Sequence, residues 1–306
     1  MEVRSIRPGE ERAAAALVYQ CTRGKEPDVA HLTNFLEGAR TLGTNLDLQV
    51  VALSDDGRIV GCAMYFPMPD RTASATPPFC AAEFDRRELK VALLVGLRTR
   101  AARDGLLMLQ AFSDESDEES VRILTESGFE SLAWMLFMER RVRAEDRNIP
   151  LDRQIRWLPY SDHHHDEFVR VVTQTYEGTL DCSRIAEIRD VTLTLESYRT
   201  RGGFDPSLWL LGEIEGEYAA CLLLSYEPNQ RICEVAYLGV VPKHRGKGLG
   251  RKMMEKGLFE VSLRATGCLL KLAVDEANFP AVKLYRELGF LVVERKQVYC
   301  SLLATR

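Results

Sequence analysis

The chain of 306 residues lacks several features that mark membrane, secreted or nucleic-acid-binding proteins. Its longest apolar runs, such as Val91–Leu97, are far shorter than the roughly 20 residues needed to cross a bilayer. The N-terminal residues carry scattered charges without the basic and then apolar order of an export signal. The formal net charge of −5 offers no basic excess for nucleic acid. We therefore expect a soluble, cytoplasmic protein with no membrane or nucleic-acid partner.

Cysteine and histidine patterns typical of metal or redox sites are also missing. The eight cysteines lie far apart, several within apolar runs, and none forms a C-x-x-C pair. They predict buried, reduced thiols and neither a disulfide scaffold nor a zinc site. DHHHD, Asp162–Asp166, suggests a metal site, but adjacent helical residues point in different directions and no i, i+4 histidine pair is present. We expect a solvated first helical turn there and no metal.

The two halves of the sequence show the same order of secondary-structure signals. Each half opens with a short strand-like lead and an amphipathic helix, and later shows a hairpin pattern with a turn at SDDG or EIEGE. Each also contains a capped helix that ends in Gly-Phe, at Gly128–Phe129 and Gly289–Phe290. The simplest explanation is two copies of one α/β domain.

A polar stretch separates the two halves. Residues Arg143–Gln154, RAEDRNIPLDRQ, combine charge with a proline and show no apolar periodicity. We therefore expect two domains, residues 1–148 and 153–306.

The most informative segment is the glycine-rich loop VVPKHRGKGLGRKMM. A strand-like run precedes it, and apolar side chains at helical intervals follow it. Gly246, Gly248 and Gly250 thus mark a strand-to-helix turn, where backbone N–H groups converge on a phosphate or pyrophosphate. The spacing fits neither a P-loop nor a Rossmann fingerprint. The alternative is a tight turn with a solvated basic face.

Two motifs together resemble the GNAT superfamily of acyl-CoA-dependent N-acyltransferases. The loop fits R-x-x-G-x-G at Arg245–Gly250, and a second segment fits N-x-x-A-x-x-L-Y-x-x-L-G-F at Asn278–Phe290. The likeness covers essentially the whole second domain and only weakly the first. It implies two tandem GNAT-like domains of α/β (α+β) class, each a mixed, mostly antiparallel sheet flanked by helices. The organisation is similar to tandem acetyltransferases of the mycothiol synthase type.

The same resemblance implies acetyl-CoA as co-substrate, held mainly by backbone. After a bulge, the strand before the loop would splay from its neighbour, and the N–H groups of Val240 and Val241 would meet the acyl carbonyl. Asn278 would both cap its helix and contact the cofactor. The implied cofactor-binding residues are Leu238, Gly239, Val240, Val241, Arg245, Gly246, Lys247, Gly248, Leu249, Gly250, Asn278, Ala281 and Tyr285.

Two residues are candidates for proton transfer. By resemblance, Tyr285 would approach the thioester sulfur and act as general acid, since a phenol of pKa about 10 suits a departing thiolate. The alternative for Tyr285 is a core tyrosine. Glu234 matches a position where many family members place the general base, and its alternative is an exposed carboxylate at a strand end.

The acceptor is less defined. Glu177 and Asp181 lie in TYEGTLDC, where such proteins shape the acceptor pocket, and could attract a cationic amine. A polar turn around Gly178 explains them equally well. The acceptor could be a small molecule, an aminoglycoside-like drug or a peptide amine, and the oligomeric state is left open.

The first half has lost the chemical signals. Its counterpart of the loop carries Asp85 and Glu88, which would repel pyrophosphate, and the counterpart of Tyr285 is Leu124. We expect a structural first domain and a catalytic second one, acting as an acetyl-CoA-dependent N-acetyltransferase by direct attack of an amine in a ternary complex. The alternative is a non-catalytic acyl-CoA sensor or scaffold.

Overall fold

The chain forms two compact units in the computed structural model. One unit is Met1–Leu132 with Gln297–Arg306, and the other is Ala133–Lys296. The described residues are 1–41, 44–186, 190–200 and 202–303. The polar stretch Arg143–Gln154 lies within the second unit, so the compact units do not divide where the composition changes. The bounds 1–148 and 153–306 stay a prediction for the extent of the two sequence repeats.

The first unit alternates helices with short strands. Its elements are β1 (Glu2–Ser5), α1 (Glu11–Arg23), α2 (Val29–Thr41), β2 (Gln49–Leu53), β3 (Ile59–Pro67), β4 (Thr72–Ala75), β5 (Phe79–Cys80), α3 (Arg87–Arg103), β6 (Met108–Asp114) and α4 (Glu118–Glu126). The sheet order is β1-β2-β3-β4-β6 and β5 pairs with β3. All of these pairs are antiparallel except β4 with β6. Leu93, Leu94 and Leu97 of α3 are fully buried on this sheet.

Two long strands cross the division of the chain. Strand β7 (Glu130–Arg141) begins in the first unit, but its residues from Met135 to Arg141 pair antiparallel with a strand of the second unit's sheet. The last strand, β13 (Leu291–Leu302), begins in the second unit and ends in the first. There Tyr299 joins the core of the first unit.

The second unit repeats this arrangement with longer strands. After β7 its elements are β8 (Arg156–Pro159), α5 (His165–Tyr176), α6 (Ser183–Ala186), α7 (Val191–Thr200), β9 (Phe204–Ile214), β10 (Glu217–Glu227), β11 (Ile232–Val240), α8 (Leu249–Arg264), β12 (Leu269–Asp275) and α9 (Phe279–Glu287). The sheet order is β8-β9-β10-β11-β12-β7, with only β11 and β12 parallel. The expected α/β class, a mixed and mostly antiparallel sheet flanked by helices, is confirmed.

Local sequence signals explain the turns that shape this unit. Glu215 and Gly216, with φ of 52° and 82°, form the two-residue turn that joins β9 to β10, where positive φ at both positions matches the twist of the strands. The Asn278 side chain accepts a hydrogen bond from the Ala281 N–H and so caps α9, as expected. Gly289, with φ of 84°, follows the end of that helix.

Two apolar clusters cover the two faces of the second sheet. Helix α8 contributes Met253, Leu258 and Val261 to one cluster, and α5 contributes Phe168 and Val172 to the other. Burying both faces explains why β10 reads AACLLLSY without polar alternation. The ends of β11 and β12 therefore lie between two helical layers.

Among the described residues, no helix is long and apolar enough to span a membrane. No group of three or more His, Cys, Asp or Glu residues arranged for a metal was found in the same part of the chain. All eight cysteines are free thiols. Six are buried as expected, and burial raises the pKa of Cys221 to about 12. Cys21 is exposed and Cys182 is partly exposed, so the prediction of buried thiols was wrong for these two.

Candidate functional site

The candidate site begins where β11 parts from β12. The register between β10 and β11 shifts between Leu223 and Leu224. Strand β11 therefore has one extra residue, Ala236, which forms a bulge. Strand β11 pairs with β12 from Ile232 to Glu234, yet both strands continue beyond this ladder. This is the bulge and the splay that the resemblance implies.

The register of β11 against β10 determines which N–H groups of β11 point into the gap between β11 and β12. The Val241 N–H donates to the Ala219 carbonyl oxygen at 2.9 Å and is therefore used by the sheet. In an antiparallel pair the N–H groups alternate in direction, so those of Val240 and Leu238 point away from β10. The expectation that Val240 and Val241 share the acyl carbonyl thus needs correction. The backbone offers Val240 and Leu238 for that contact.

Gly239 lets β11 approach α5 closely. A Cβ at Gly239 would lie 2.6 Å from Thr175 Oγ1 and 2.8 Å from Tyr237 Cε1, closer than side chains tolerate. The Thr175 and Tyr237 hydroxyls are themselves 2.7 Å apart. Burial raises the pKa of Tyr237 well above its ordinary value, so this phenol keeps its proton. Gly239 is therefore needed for packing at the wall of the site.

The glycine loop forms an open cradle at the start of α8. Gly246 and Gly248 have φ of 72° and 79°, and no atom lies within 4 Å of a Cβ placed on either. Gly248 is the N-cap residue of α8. Its carbonyl oxygen accepts the first hydrogen bond of the helix, from the Lys252 N–H. The preceding N–H groups of the first turn, those of Leu249 and Gly250 among them, lack helical acceptors. These exposed donors fit a phosphate group of acetyl-CoA.

Most basic side chains near the loop are already paired. Lys243 forms an ion pair with Glu217, Arg251 with Glu287, and Lys252 with Asp152. Lys247 is exposed and forms no ion pair with any residue that the structure describes. Lys247 is thus the cation of the loop that can meet a phosphate without first breaking a contact.

Arg245 is held within the protein by three hydrogen bonds. Its Nε donates to the Val240 carbonyl oxygen at 3.0 Å. Its two terminal nitrogens donate to the carbonyl oxygens of Gly178, at 3.0 Å, and Thr175, at 2.9 Å. This residue therefore ties the loop to β11 and to the end of α5.

Helix α9 brings the second motif against the first. A Cβ at Gly250 would make an ordinary contact of 3.5 Å with Leu284 Cδ2, so α8 and α9 are in contact at this point. Ala281 and Leu284 pack against the same apolar cluster as Leu249. The glycine loop and the motif that carries Tyr285 therefore lie against each other.

Tyr285 is buried on this face of α9. Its ring stacks edge-to-face on Phe290 at 5.7 Å between centroids. Burial, and secondarily the nearby Asp181 carboxylate, raise the pKa of Tyr285 well above its ordinary value. No described residue hydrogen-bonds to its hydroxyl. The phenol is therefore protonated at neutral pH and free to donate.

Asp181 and Asp275 join the segment after α5 to the end of β12. The Asp275 N–H donates to Asp181 Oδ1 at 2.8 Å, and the Cys182 N–H donates to Asp275 Oδ2 at 3.1 Å. Asp275 Oδ1 also accepts from the Ala277 N–H at 2.9 Å, just before the Asn278 cap. The structure thus brings Asp181 close to Tyr285 and Asn278.

The other proposed carboxylates are more peripheral. Glu177 is exposed at the end of α5. Glu234 is exposed opposite Ser225 and Lys271, at the last rung that β11 shares with β12. It lies six residues before Val240, about 20 Å along a strand. A base at Glu234 would have to act through water.

Three residues of the site were not singled out in the sequence: Thr175, Tyr237 and Asp275. Their roles depend on contacts between residues that are distant in the sequence, and the sequence features that could have indicated them are weak. Tyr237 and Gly239 are polar or small within an apolar strand, and Asp275 stands three residues before the cap of α9.

At DHHHD, a short 3₁₀ turn precedes α5. The His164 ring bonds to the Ser161 hydroxyl, and the His165 ring bonds to the Tyr160 hydroxyl.

Comparison with known proteins identifies relatives of this chain. Residues 155–290 match the Acetyltransferase (GNAT) family. The chain is similar to the mycothiol acetyltransferase of Kocuria rhizophila, with 26% identity over 255 residues, 78% of this chain and 80% of the relative. It is 35% identical over 111 residues to the mycothiol acetyltransferase of Streptomyces bingchenggensis, which is 35% of this chain and 36% of that relative. An uncharacterised N-acetyltransferase of Archaeoglobus fulgidus is 32% identical over 125 residues, 39% of this chain and 82% of the relative.

Solved structures show the same fold along nearly the whole chain. A GCN5-related N-acetyltransferase from Sphaerobacter thermophilus has a TM-score of 0.63 at 19% identity, covering 99% of this chain and 95% of the other. A tandem GNAT protein from the clavulanic acid biosynthesis pathway has a TM-score of 0.58 at 16% identity, covering 99% and 98%. The chain belongs to the GNAT acetyltransferase family, which uses acetyl-CoA, and has the tandem organisation within it.

Proposed function

We propose that the protein is an acetyl-CoA-dependent N-acetyltransferase whose second domain is catalytic and whose first domain is structural. The observation that carries this proposal is the meeting of three features in one unit. They are the Leu238 and Val240 N–H groups that point away from β10, the open N-terminus of α8, and the protonated Tyr285 hydroxyl, to which no described residue hydrogen-bonds. A protein that only binds acyl-CoA needs the first two features and has no need of a buried acid.

Different groups of the chain would bind the phosphates and the acyl oxygen of acetyl-CoA. The first-turn N–H groups of α8 and Lys247 would hold phosphate groups of acetyl-CoA, whose thioester supplies an activated acetyl group. The N–H groups of Val240 and Leu238 would hold the acyl oxygen and stabilise the negative charge that develops on it. In the reaction a C–N bond forms to the amine and the C–S bond breaks.

Two residues would move protons in this scheme. Tyr285 would donate its phenolic proton to the departing sulfur, since it retains that proton through the neutral range. Glu234 would accept the proton of the attacking amine through water, because its position on β11 is too distant for direct contact. Direct attack would need both substrates to be bound together, in a ternary complex.

The acceptor is proposed to be a small-molecule amine. A relative that is similar over 255 residues is named mycothiol acetyltransferase. Glu177 and Asp181 lie on the segment next to Tyr285 and would attract a cationic group. Their charges favour an acceptor that arrives as an ammonium ion and loses its proton within the site.

The test is acetylation of a panel of small amines, aminoglycosides and peptides by the full chain, followed by mass spectrometry. An increase of about 42 mass units, from an acetyl group that replaces a hydrogen atom, is expected on an amine nitrogen, and its yield should rise with the amount of enzyme. Tyr285→Phe serves as the control, since it should bind acetyl-CoA without turnover. Acetyl-CoA binding without transfer to any amine, in both proteins, would support the sensor or scaffold instead.

A further inference from the structure

The segment Thr175–Cys182 comprises the last two residues of α5 and the connection to α6, and we refer to it as the acceptor strap. Its described internal hydrogen bonds are local: the Glu177 and Thr179 N–H groups donate to the Gln174 and Tyr176 carbonyl oxygens, and the Asp181 N–H donates to Thr179 Oγ1. Gly178 and Cys182 have positive φ, of 57° and 46°. Such a segment depends on contacts from outside for its position.

The first outside contact comes from the cofactor loop. Arg245 is the residue immediately before Gly246, yet its guanidinium donates to the carbonyl oxygens of Thr175 and Gly178 in the strap. Its Nε is bound to Val240, whose N–H faces the splay. One planar side chain therefore connects the cofactor loop, the acyl-binding strand and the first half of the strap.

The second outside contact is at the far end of the strap. Asp181 and Cys182 bond to the N–H and the carboxylate of Asp275, at the end of β12. The strap is thus fastened on one side to the β11 end of the splay and on the other side to the β12 end. Any shift of the cofactor loop on binding acetyl-CoA would reach the strap through Arg245.

We propose that Arg245 is a positioning residue that couples the filled cofactor loop to the acceptor strap and so builds the amine site. The proposal rests on the proposed function in one respect, that the second substrate is an amine. A guanidinium whose three nitrogens already donate to backbone oxygens is not arranged to grip a phosphate in the bidentate manner. Lys247, which is exposed and without an ion pair among the described residues, takes the phosphate role.

The proposal is tested on the full chain by amide hydrogen exchange of residues 175–182, with and without saturating acetyl-CoA. In the unsubstituted protein, acetyl-CoA should slow exchange of the strap by about tenfold, a typical size for coupling between two sites. Arg245→Lys keeps the charge but loses the planar fork, and should abolish this protection. Its Kd for acetyl-CoA, measured by calorimetry, should change less than about threefold.

Lys247→Gln is the matched control, since it alters a neighbouring cation that does not contact the strap. It should weaken acetyl-CoA binding by about tenfold, consistent with loss of one phosphate contact, while saturating acetyl-CoA still protects the strap. Where an acceptor is known, Arg245→Lys should raise its KM by about tenfold with a smaller change in kcat. Arg245→Gln gives a second variant if Arg245→Lys does not fold.

The proposal is overturned if Arg245→Lys weakens acetyl-CoA binding as much as Lys247→Gln does and leaves strap protection intact. It is also overturned if acetyl-CoA binds the unsubstituted protein without protecting the strap. Neither exchange nor calorimetry requires turnover. A protein that shows the coupling but acetylates no amine would refute the proposed function and leave the coupling standing.

Discussion

Gly239 of β11 and Thr175 of α5 approach so closely that a Cβ on the glycine would lie 2.6 Å from the threonine Oγ1. This contact joins the strand that would hold the acyl group to the helix that begins the acceptor strap. The same threonine supplies a carbonyl oxygen to Arg245 and a hydroxyl contact to Tyr237. The wall of the site is therefore built around one position that has no side chain.

Gly239→Ala tests this packing. The added methyl group meets Thr175 and Tyr237 at distances that force a shift, so we expect a loss of about 1–3 kcal/mol in the free energy of unfolding. Gly250→Ala is the control, because its Cβ would make only ordinary contacts, the nearest at 3.5 Å. In a helix that change should be neutral or stabilising by up to about 1 kcal/mol. Urea denaturation of both variants measures the difference, and equal stabilities would refute the close-packing explanation.

The cradle at Gly248 can be tested by adding charge. Gly248→Glu places a carboxylate where the proposed phosphate would bind, whereas Gly248→Gln has nearly the same size and the same strain at φ of 79°. Acetyl-CoA should bind the glutamate variant at least about tenfold more weakly than the glutamine variant. Calorimetry should also show one site per chain in the unsubstituted protein. Equal affinities would exclude the cradle as the phosphate site, and two sites would contradict a structural first domain.

Tyr285→Phe should separate binding from chemistry. The phenyl ring preserves the edge contact with Phe290 and loses only the hydroxyl, so the acetyl-CoA Kd should stay unchanged. Loss of the acid should lower kcat by about 100-fold or more. Steady-state kinetics beside calorimetry check both expectations. An unchanged kcat would mean that Tyr285 is only a core residue.

The pH dependence of Tyr285 has a defined sign. An acid must be protonated to act, and burial followed by the Asp181 carboxylate raises the pKa of Tyr285 above its ordinary value of about 10. Activity should therefore show no fall due to Tyr285 below about pH 10. Asp181→Asn removes one of the two causes, so the alkaline fall in kcat should move to lower pH. An alkaline limb that stays in place would argue against Tyr285 as the acid.

Glu234→Gln tests the proposed base. We expect kcat/KM to fall by about 100-fold at neutral pH with little change in acetyl-CoA affinity. Glu294→Gln, an exposed carboxylate on a strand, is the control for loss of surface charge. If both variants acetylate amines at the same rate, the base must be sought elsewhere.

The sequence predicted the features that depend on local residues. Strand β11, helix α8, the turn at Glu215–Gly216 and the cap at Asn278 each follow from signals within a few positions, and all are present. The splay was implied by resemblance, since a bulge at Ala236 leaves little trace in an apolar strand.

Contacts between distant residues could not be predicted in this way. The use of the Val241 N–H depends on its register opposite Ala219, and a shift of one residue would have freed it. Arg245 shows the same limit, because a basic residue in a glycine loop gives no sign that it bonds to Thr175, seventy positions earlier. The roles proposed for Glu234, Glu177 and Asp181 stay predictions.

The path of β7 and β13 has a consequence for fragments of this protein. Residues 135–141 complete the sheet of the second unit beside β12, and residues 297–303 supply Tyr299 and Leu303 to the core of the first. A gene fragment encoding residues 153–306 would leave β12 with an open edge, and one encoding 1–148 would lack part of its own core. A single cut after Leu132 keeps every residue of the second unit but removes Gln297–Arg306 from the first. Truncation can therefore preserve the second unit only if the cut lies before the part of β7 that pairs with β12, and it always deprives the first unit of its C-terminal residues.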